Sequence, residues 1–214
     1  MNEKKINLKK VLPVLMASLL MGFADIVGVA TGYIKKDFNL GDDLAQLIPF
    51  MALVWFFLLS VPAGILQDKY GKRNMLNIGM GLIGAGMVVP FFHYSFPIML
   101  FAMILMGIGN TIVQVSANPL LMDVLPKERF SSFMSLSQFI KAISSLLGPI
   151  IATFVAIQFG NWKLVFAVYA VTSLIAVAWL YFTKIEESKG NEKAATFKSC
   201  FSLLKNKYVL LLSL

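Results

Sequence analysis

Six long apolar runs, separated by short charged or turn-forming stretches, narrow this chain's options more than any other feature. They fall at about 11–34, 44–66, 74–92, 98–122, 131–158 and 164–182. A helix of about twenty apolar residues matches the thickness of a bilayer's hydrocarbon core. The chain is 58% hydrophobic and only 14% charged, whereas a soluble domain carries about 25% charged residues. The expected fold is therefore all-α: a polytopic membrane bundle, since a helix satisfies its own backbone polar groups inside lipid. A polar linker, Thr183 to Lys207, follows the sixth run, and a seventh run occupies only Tyr208 to Leu214. That run is too short for a span and reads as the truncated start of a further helix. The expected domains are thus a bundle over 1–182, a linker over 183–207 and this start over 208–214.

The net charge of +8 does not point to nucleic acid, because the bases sit at the ends of apolar runs rather than on one face. Of the 19 basic residues, fifteen fall in the N-terminal tail, the loop after span 2, the loop after span 4 and the linker. Lys35, Lys36 and Lys163 lie on the other side, and Lys141 lies within span 5. The asymmetry predicts a cytoplasmic N-terminus and a cytoplasmic linker in a cell or inner membrane. Trp162, Trp179 and Tyr181 suit anchors at the ends of span 6. No cleavable signal peptide is expected, since the first run is too long and lacks a cleavage site. A single cysteine, Cys200, and a single histidine, His93, support neither an internal disulfide nor a metal cluster. No nucleophile–base set or phosphate-binding glycine loop appears, so neither an enzyme nor a cofactor is expected.

The loop between spans 2 and 3 reads Gly64-Ile65-Leu66-Gln67-Asp68-Lys69-Tyr70-Gly71-Lys72-Arg73. Gly64 lets span 2 approach a neighbour closely, Gly71 permits a tight turn, and Lys69, Lys72 and Arg73 resist crossing the bilayer. Asp68 is placed to pair with these bases or to cap a helix N-terminus across the bundle. The pattern G-x-x-x-D-K-x-G-K-R at a membrane edge resembles the signature loop of the major facilitator superfamily. The resemblance implies the first half of a twelve-helix transporter whose missing C-terminal six-helix half supplies the rest of the site. It also implies that this loop steadies one state of a rocking cycle.

Polar side chains within spans usually face the bundle interior or a water-filled path. Span 1 carries Ser18, Gly22, Asp25 and Gly32 on one face; span 4 carries Gly107, Asn110, Gln114 and Asn118; span 5 carries Ser131, Gln138, Lys141, Ser145 and Gly148. These three spans are expected to line a cavity. Spans 3 and 6 are expected to support them, with Gly79, Gly81, Gly84 and Gly86 for close packing in span 3. Asp25 lies about 21 Å into a core about 30 Å thick. It is either a protonation site and substrate ligand or a structural acid satisfied by hydroxyls or by lysine. Lys141 lies about 15 Å into span 5 and either binds substrate, pairs with Asp25 or snorkels to the surface. Pro119 frees the carbonyl of Val115, beside Asn118.

Pro62-Ala63-Gly64-Ile65-Leu66 and Ala117-Asn118-Pro119 are similar to motifs of the fucose permease group, which implies import of a sugar by proton symport. Two positions depart from that group's acids: Val29 in span 1, with Asp25 one turn earlier, and Gln114 in span 4. Lys141 stands where the group has an uncharged amide, which opens the way to an acidic sugar or another organic anion. The expected substrate contacts are Asp25, Gln114, Asn118, Gln138 and Lys141, with Asp25 also carrying the proton. The expected gate residues are Gly64, Asp68, Lys69, Gly71, Lys72 and Arg73. Two readings compete. One is a proton-coupled drug or organic-anion transporter, faintly suggested by Gly148-Pro149, although Met103 stands where such carriers have an arginine. The other is a non-transporting receptor or assembly module, which predicts that Asp25 and Lys141 tolerate apolar replacement.

Overall fold

The computed structural model describes residues 6–188, and these form seven helices with no strand among them. The linker beyond Ser188 and the run from Tyr208 lie outside the described residues, as does the start of the tail. Asn7 opens α1 (Leu8–Ala24) by accepting a hydrogen bond from the Lys9 backbone N–H at 3.1 Å, which satisfies one of the unpaired donors of a helix start. The first span was expected to be continuous. It is instead broken into α1 and α2 (Val27–Asp37) at Asp25 and Ile26. There the backbone N–H groups of Asp25 and Ile26 bond back only three residues, to Gly22 and Phe23, both at 3.1 Å. One tightened turn thus sits at the acid.

The remaining spans match their sequence limits to within a turn or so at most ends: α3 (Asp42–Tyr70), α4 (Lys72–Phe92), α5 (Phe96–Val124), α6 (Lys127–Phe159) and α7 (Leu164–Phe182). Counting α1 and α2 as one span, six are long and apolar enough to cross a membrane. Gly71 separates α3 from α4 with φ +89°, a conformation that costs other residues strain.

Within the bundle α5 packs between α4, α3 and α1, while α1 also packs on α6 and α7. Small residues set these approaches, because lipid supplies no hydrophobic drive for helix association and backbones must come close. A Cβ on Gly107 would stand 2.2 Å from the Ala52 carbonyl oxygen of α3, and one on Gly22 would stand 2.3 Å from the Lys141 carbonyl oxygen of α6. Gly79 and Gly109 meet each other's carbonyls across α4 and α5, at 2.9 and 2.6 Å for the corresponding Cβ positions. Gly84 and Gly86 are equally tight, against Ser173 and Ala102. Gly81 meets nothing within 4 Å, and Gly64 makes only an ordinary 3.9 Å approach to Val115. The packing role expected of those two glycines is not found among the described residues.

Leu136, Phe139, Ile143, Leu146, Ile150, Phe154 and Ile157 leave one side of α6 bare, and Val171, Leu174, Ile175 and Phe182 do the same on α7. These faces suit lipid tails. The fold is that of a multi-pass membrane protein.

Candidate functional site

Two polar regions stand out, one in the middle of the bundle and one at the α3–α4 turn. In the middle, α1 and α6 meet along a seam of hydroxyls. Ser18 and Ser137 share a 2.6 Å hydrogen bond, and Gly22 is pressed against Ser144. Above this seam the span breaks, and Asp25 turns outward from the packed interface. Its carboxylate accepts a 2.5 Å hydrogen bond from Ser145 Oγ. Gly28 and Gly32 continue the open strip with nothing within 4 Å of their Cβ positions. The stripe read from the sequence therefore divides at Asp25: Ser18 and Gly22 are consumed by packing, and Asp25 and Gly32 face open space.

On α6, Gln138 is exposed, and Lys141 and Ser145 are half-buried on the flank beside Asp25. Lys141 does not pair with Asp25. Among the described residues the ion pairs within 4.0 Å are Lys35–Asp42 and Lys72–Asp123. Gly148, expected on the same face, is buried, with its Cβ position 3.3 Å from the Tyr169 hydroxyl. On α5, Gly107 and Asn110 are buried rather than cavity-lining, and Gly107 packs closely on Ala52 of α3. Gln114 and Asn118, one and two turns on, are half-buried. The Asn110 carboxamide oxygen is buried with no hydrogen-bond partner among the described residues. Spans 3 and 6 tie to each other instead, through Ser173 Oγ donating to the Met80 carbonyl at 2.7 Å.

The α3–α4 turn is more fully connected. Lys72 Nζ lies 2.7 Å from Asp123 Oδ2 at the end of α5, with only 17% and 6% of the two side chains exposed. Ser188 Oγ joins both, donating to Asp123 and standing 3.2 Å from Lys72 Nζ. Glu187 accepts from the backbone N–H groups of Lys72 and Arg73, at 2.5 and 3.1 Å. A carboxylate is thereby set on the positive end of α4. Arg73 reaches the other way and donates to the carbonyls of Leu180 and Tyr181 at the end of α7. Asp68 is exposed and makes no hydrogen bond or ion pair among the described residues. The intra-bundle pairing considered for Asp68 is made instead by Asp123 and Glu187. Lys69 is also exposed and lies over the Tyr70 ring at 5.1 Å.

At the opposite end, Asp37 accepts from Tyr94 Oη at 2.6 Å and from Trp162 Nε1 at 2.9 Å. Trp162 is 6% exposed and stacks on Tyr33, so it packs the bundle rather than anchoring it to an interface. Burial, followed by the bond to Asp37, pushes the Tyr94 hydroxyl well above the ordinary phenol range.

This is the geometry of a membrane bundle with one sealed polar end and one open polar flank in its middle. The model of the Major Facilitator Superfamily matches residues 14–214, and the chain belongs to that superfamily. An uncharacterised MFS-type transporter, YfiU of Bacillus subtilis, is 26% identical over 155 residues, 70% of this chain and 30% of that protein. The solute carrier family 2 facilitated glucose transporter member 12 of Macaca fascicularis is 23% identical over 85% of this chain and 30% of its own length. The glucose/galactose transporter of Brucella abortus is 26% identical over 55% of this chain and 29% of its own. The chain thus spans about a third of the length of the curated relatives it matches. Among solved structures, the Escherichia coli xylose transporter XylE in its inward-open conformation superposes with a TM-score of 0.71 at 18% identity, over 94% of this chain and 53% of that one. The Escherichia coli fucose:proton symporter FucP gives 0.66 at 16%, over 92% and 56%. These likenesses show the fold.

Proposed function

We propose that this chain forms half of a secondary active transporter that imports a small polar solute of the sugar class by proton symport. The carrying observation is the Asp25 flank. An acid deep in an apolar span, held by one hydroxyl and facing open space, is costly unless it works on a ligand or a proton. Asp25 carries the proton, and Gln138, Lys141, Gln114 and Asn118 offer donors and acceptors to hydroxyls. The sugar class is supported by relatives whose names specify glucose and galactose.

The other half of the site belongs to a second six-helix unit, in keeping with relatives about three times as long as the stretch matched. Transport proceeds by rocking of the two halves about a midplane site. The distribution of basic residues supports a cytoplasmic N-terminus and a cytoplasmic Thr183–Lys207 linker. The α3–α4 turn, with Gly64, Asp68, Lys69, Gly71, Lys72 and Arg73, is then the cytoplasmic gate. Glu187, Lys72 and Asp123 hold its inner side together, while the exposed Asp68 is free to engage the partner half.

The test is uptake of labelled sugars by the full-length protein in liposomes, with and without an inward proton gradient. Gradient-driven accumulation that fails in Asp25→Asn, while facilitated exchange of the same sugar survives, supports symport through Asp25. Undiminished accumulation in Asp25→Asn removes Asp25 from the proton path.

A further inference from the structure

Lys141 poses a problem that a neutral sugar does not solve. Asp25 is the one acid, and Lys141 the one base, set within the spans away from their ends. Lys141 is the fifteenth residue of α6 (Lys127–Phe159), about 21 Å along the helix at 1.5 Å per residue. Its backbone is fixed, because the Lys141 carbonyl oxygen is wedged against Gly22 with no room for even a Cβ there. Its neighbours on the open flank are Gln138 and Ser145, one turn away on either side. The nearby carboxylate does not pair with it: Asp25 accepts the Ser145 hydroxyl, and no ion pair involves Lys141 among the described residues. A cation within an apolar span is expensive to keep without a counter-charge.

We infer that Lys141 is the anion-binding group of the proposed transport site and that the substrate is a sugar acid, a carbohydrate bearing a carboxylate. This rests on the transporter reading above. The carboxylate accepts from the Lys141 ammonium, and the hydroxyls meet Gln138 and the amides of α5. With Asp25 protonated, the loaded site then holds one cation and one anion and is neutral. One monoanion moves with one proton, so the cycle transfers no net charge. A neutral sugar carried with a proton would transfer one positive charge per cycle.

The test uses the full-length protein in liposomes, with gluconate and glucuronate against glucose and fucose. The acids should be preferred by about ten-fold or more, as expected for a hydrogen bond to a charged group. Their uptake should follow the pH gradient and ignore a potassium–valinomycin potential. Lys141→Arg should keep the preference, and Lys141→Gln should erase it. Gluconate should also raise the melting temperature of the detergent-solubilised wild type, a readout that needs no variant to fold. Preference for neutral sugars, or potential-driven uptake of the acids, overturns the inference and leaves the transporter reading standing. An unchanged preference in Lys141→Gln does the same, as would an acid of the second half occupying Lys141, seen as no gain from gluconate. Failure of both acid and neutral carbohydrates to bind or move overturns the sugar reading itself.

Discussion

The α3–α4 turn and the Asp25–Lys141 flank are both rich in charge, yet they are built on opposite terms. At the turn, Lys72, Asp123, Ser188, Glu187 and Arg73 are joined by hydrogen bonds and an ion pair, and two helix ends are capped in the process. On the flank, Asp25 accepts the Ser145 hydroxyl, and neither Asp25 nor the half-buried Lys141 makes an ion pair among the described residues. A region that satisfies its own charges is structure. On the reading proposed above, a region that leaves them open inside a bilayer is placed to receive a solute and a proton.

For transport, the contrast is broken most severely by its packing support. Gly22→Leu would drive a side chain into Ser144 and the Lys141 carbonyl, parting α1 from α6 and dispersing the flank. Overpacking of this kind costs about 1–3 kcal/mol or more. The full-length protein in detergent should melt at lower temperature and lose transport together. Gly81→Ala, in open space, should change neither.

Next comes the ion pair. Lys72→Ala strands Asp123 at 6% exposure, and breaking a buried pair costs about 3–5 kcal/mol. The double variant Lys72→Ala with Asp123→Ala should recover much of that in thermal melts, whereas Asp68→Ala should leave the melting temperature near wild type. A large loss from Asp68→Ala and a small one from Lys72→Ala would reverse the assignment.

Glu187→Gln keeps the acceptor at α4's start and removes its charge. A helix-dipole contribution of about 0.3–1 kcal/mol should be lost, visible as a modest drop in melting temperature that shrinks in high salt. The smallest effect lies at the opposite end. Because burial and Asp37 raise the Tyr94 hydroxyl above its ordinary range, the folded state holds that proton where the unfolded chain releases it. The contribution is fully present below about pH 10 and declines as pH rises above it. Alkaline denaturation should set in later in Tyr94→Phe, provided packing is kept.

Much of this molecule is legible in its sequence. Six spans follow from apolar length, and Gly71 and the basic cluster mark the turn. Helix ends and small-residue contacts follow local rules, so Gly79, Gly84 and Gly86 could be read in advance. What could not be read depends on rotation and distance in sequence. The Ser18, Gly22 and Asp25 stripe is one face of an ideal helix, but the break at Asp25 gives its two halves different neighbours. Gly107 and Asn110 share a face with Gln114, yet both are buried, Gly107 against Ala52 of α3. Glu187 lies 115 residues from Lys72, and nothing local in a polar linker marks it as the cap of another helix. Trp162 sits at a span end like any interfacial tryptophan, and its stack on Tyr33 and its bond to Asp37, both distant in sequence, hold it inside the bundle.

The central claim is that the open flank is a working site, with Asp25 as its proton carrier. The most direct measurement is solute-driven proton movement in proteoliposomes of the full-length protein, wild type against Asp25→Asn. Substrate added outside should alkalinise the external medium for wild type and give no signal for Asp25→Asn, whose melting temperature stays near that of wild type. An equal proton signal from both proteins would contradict the account.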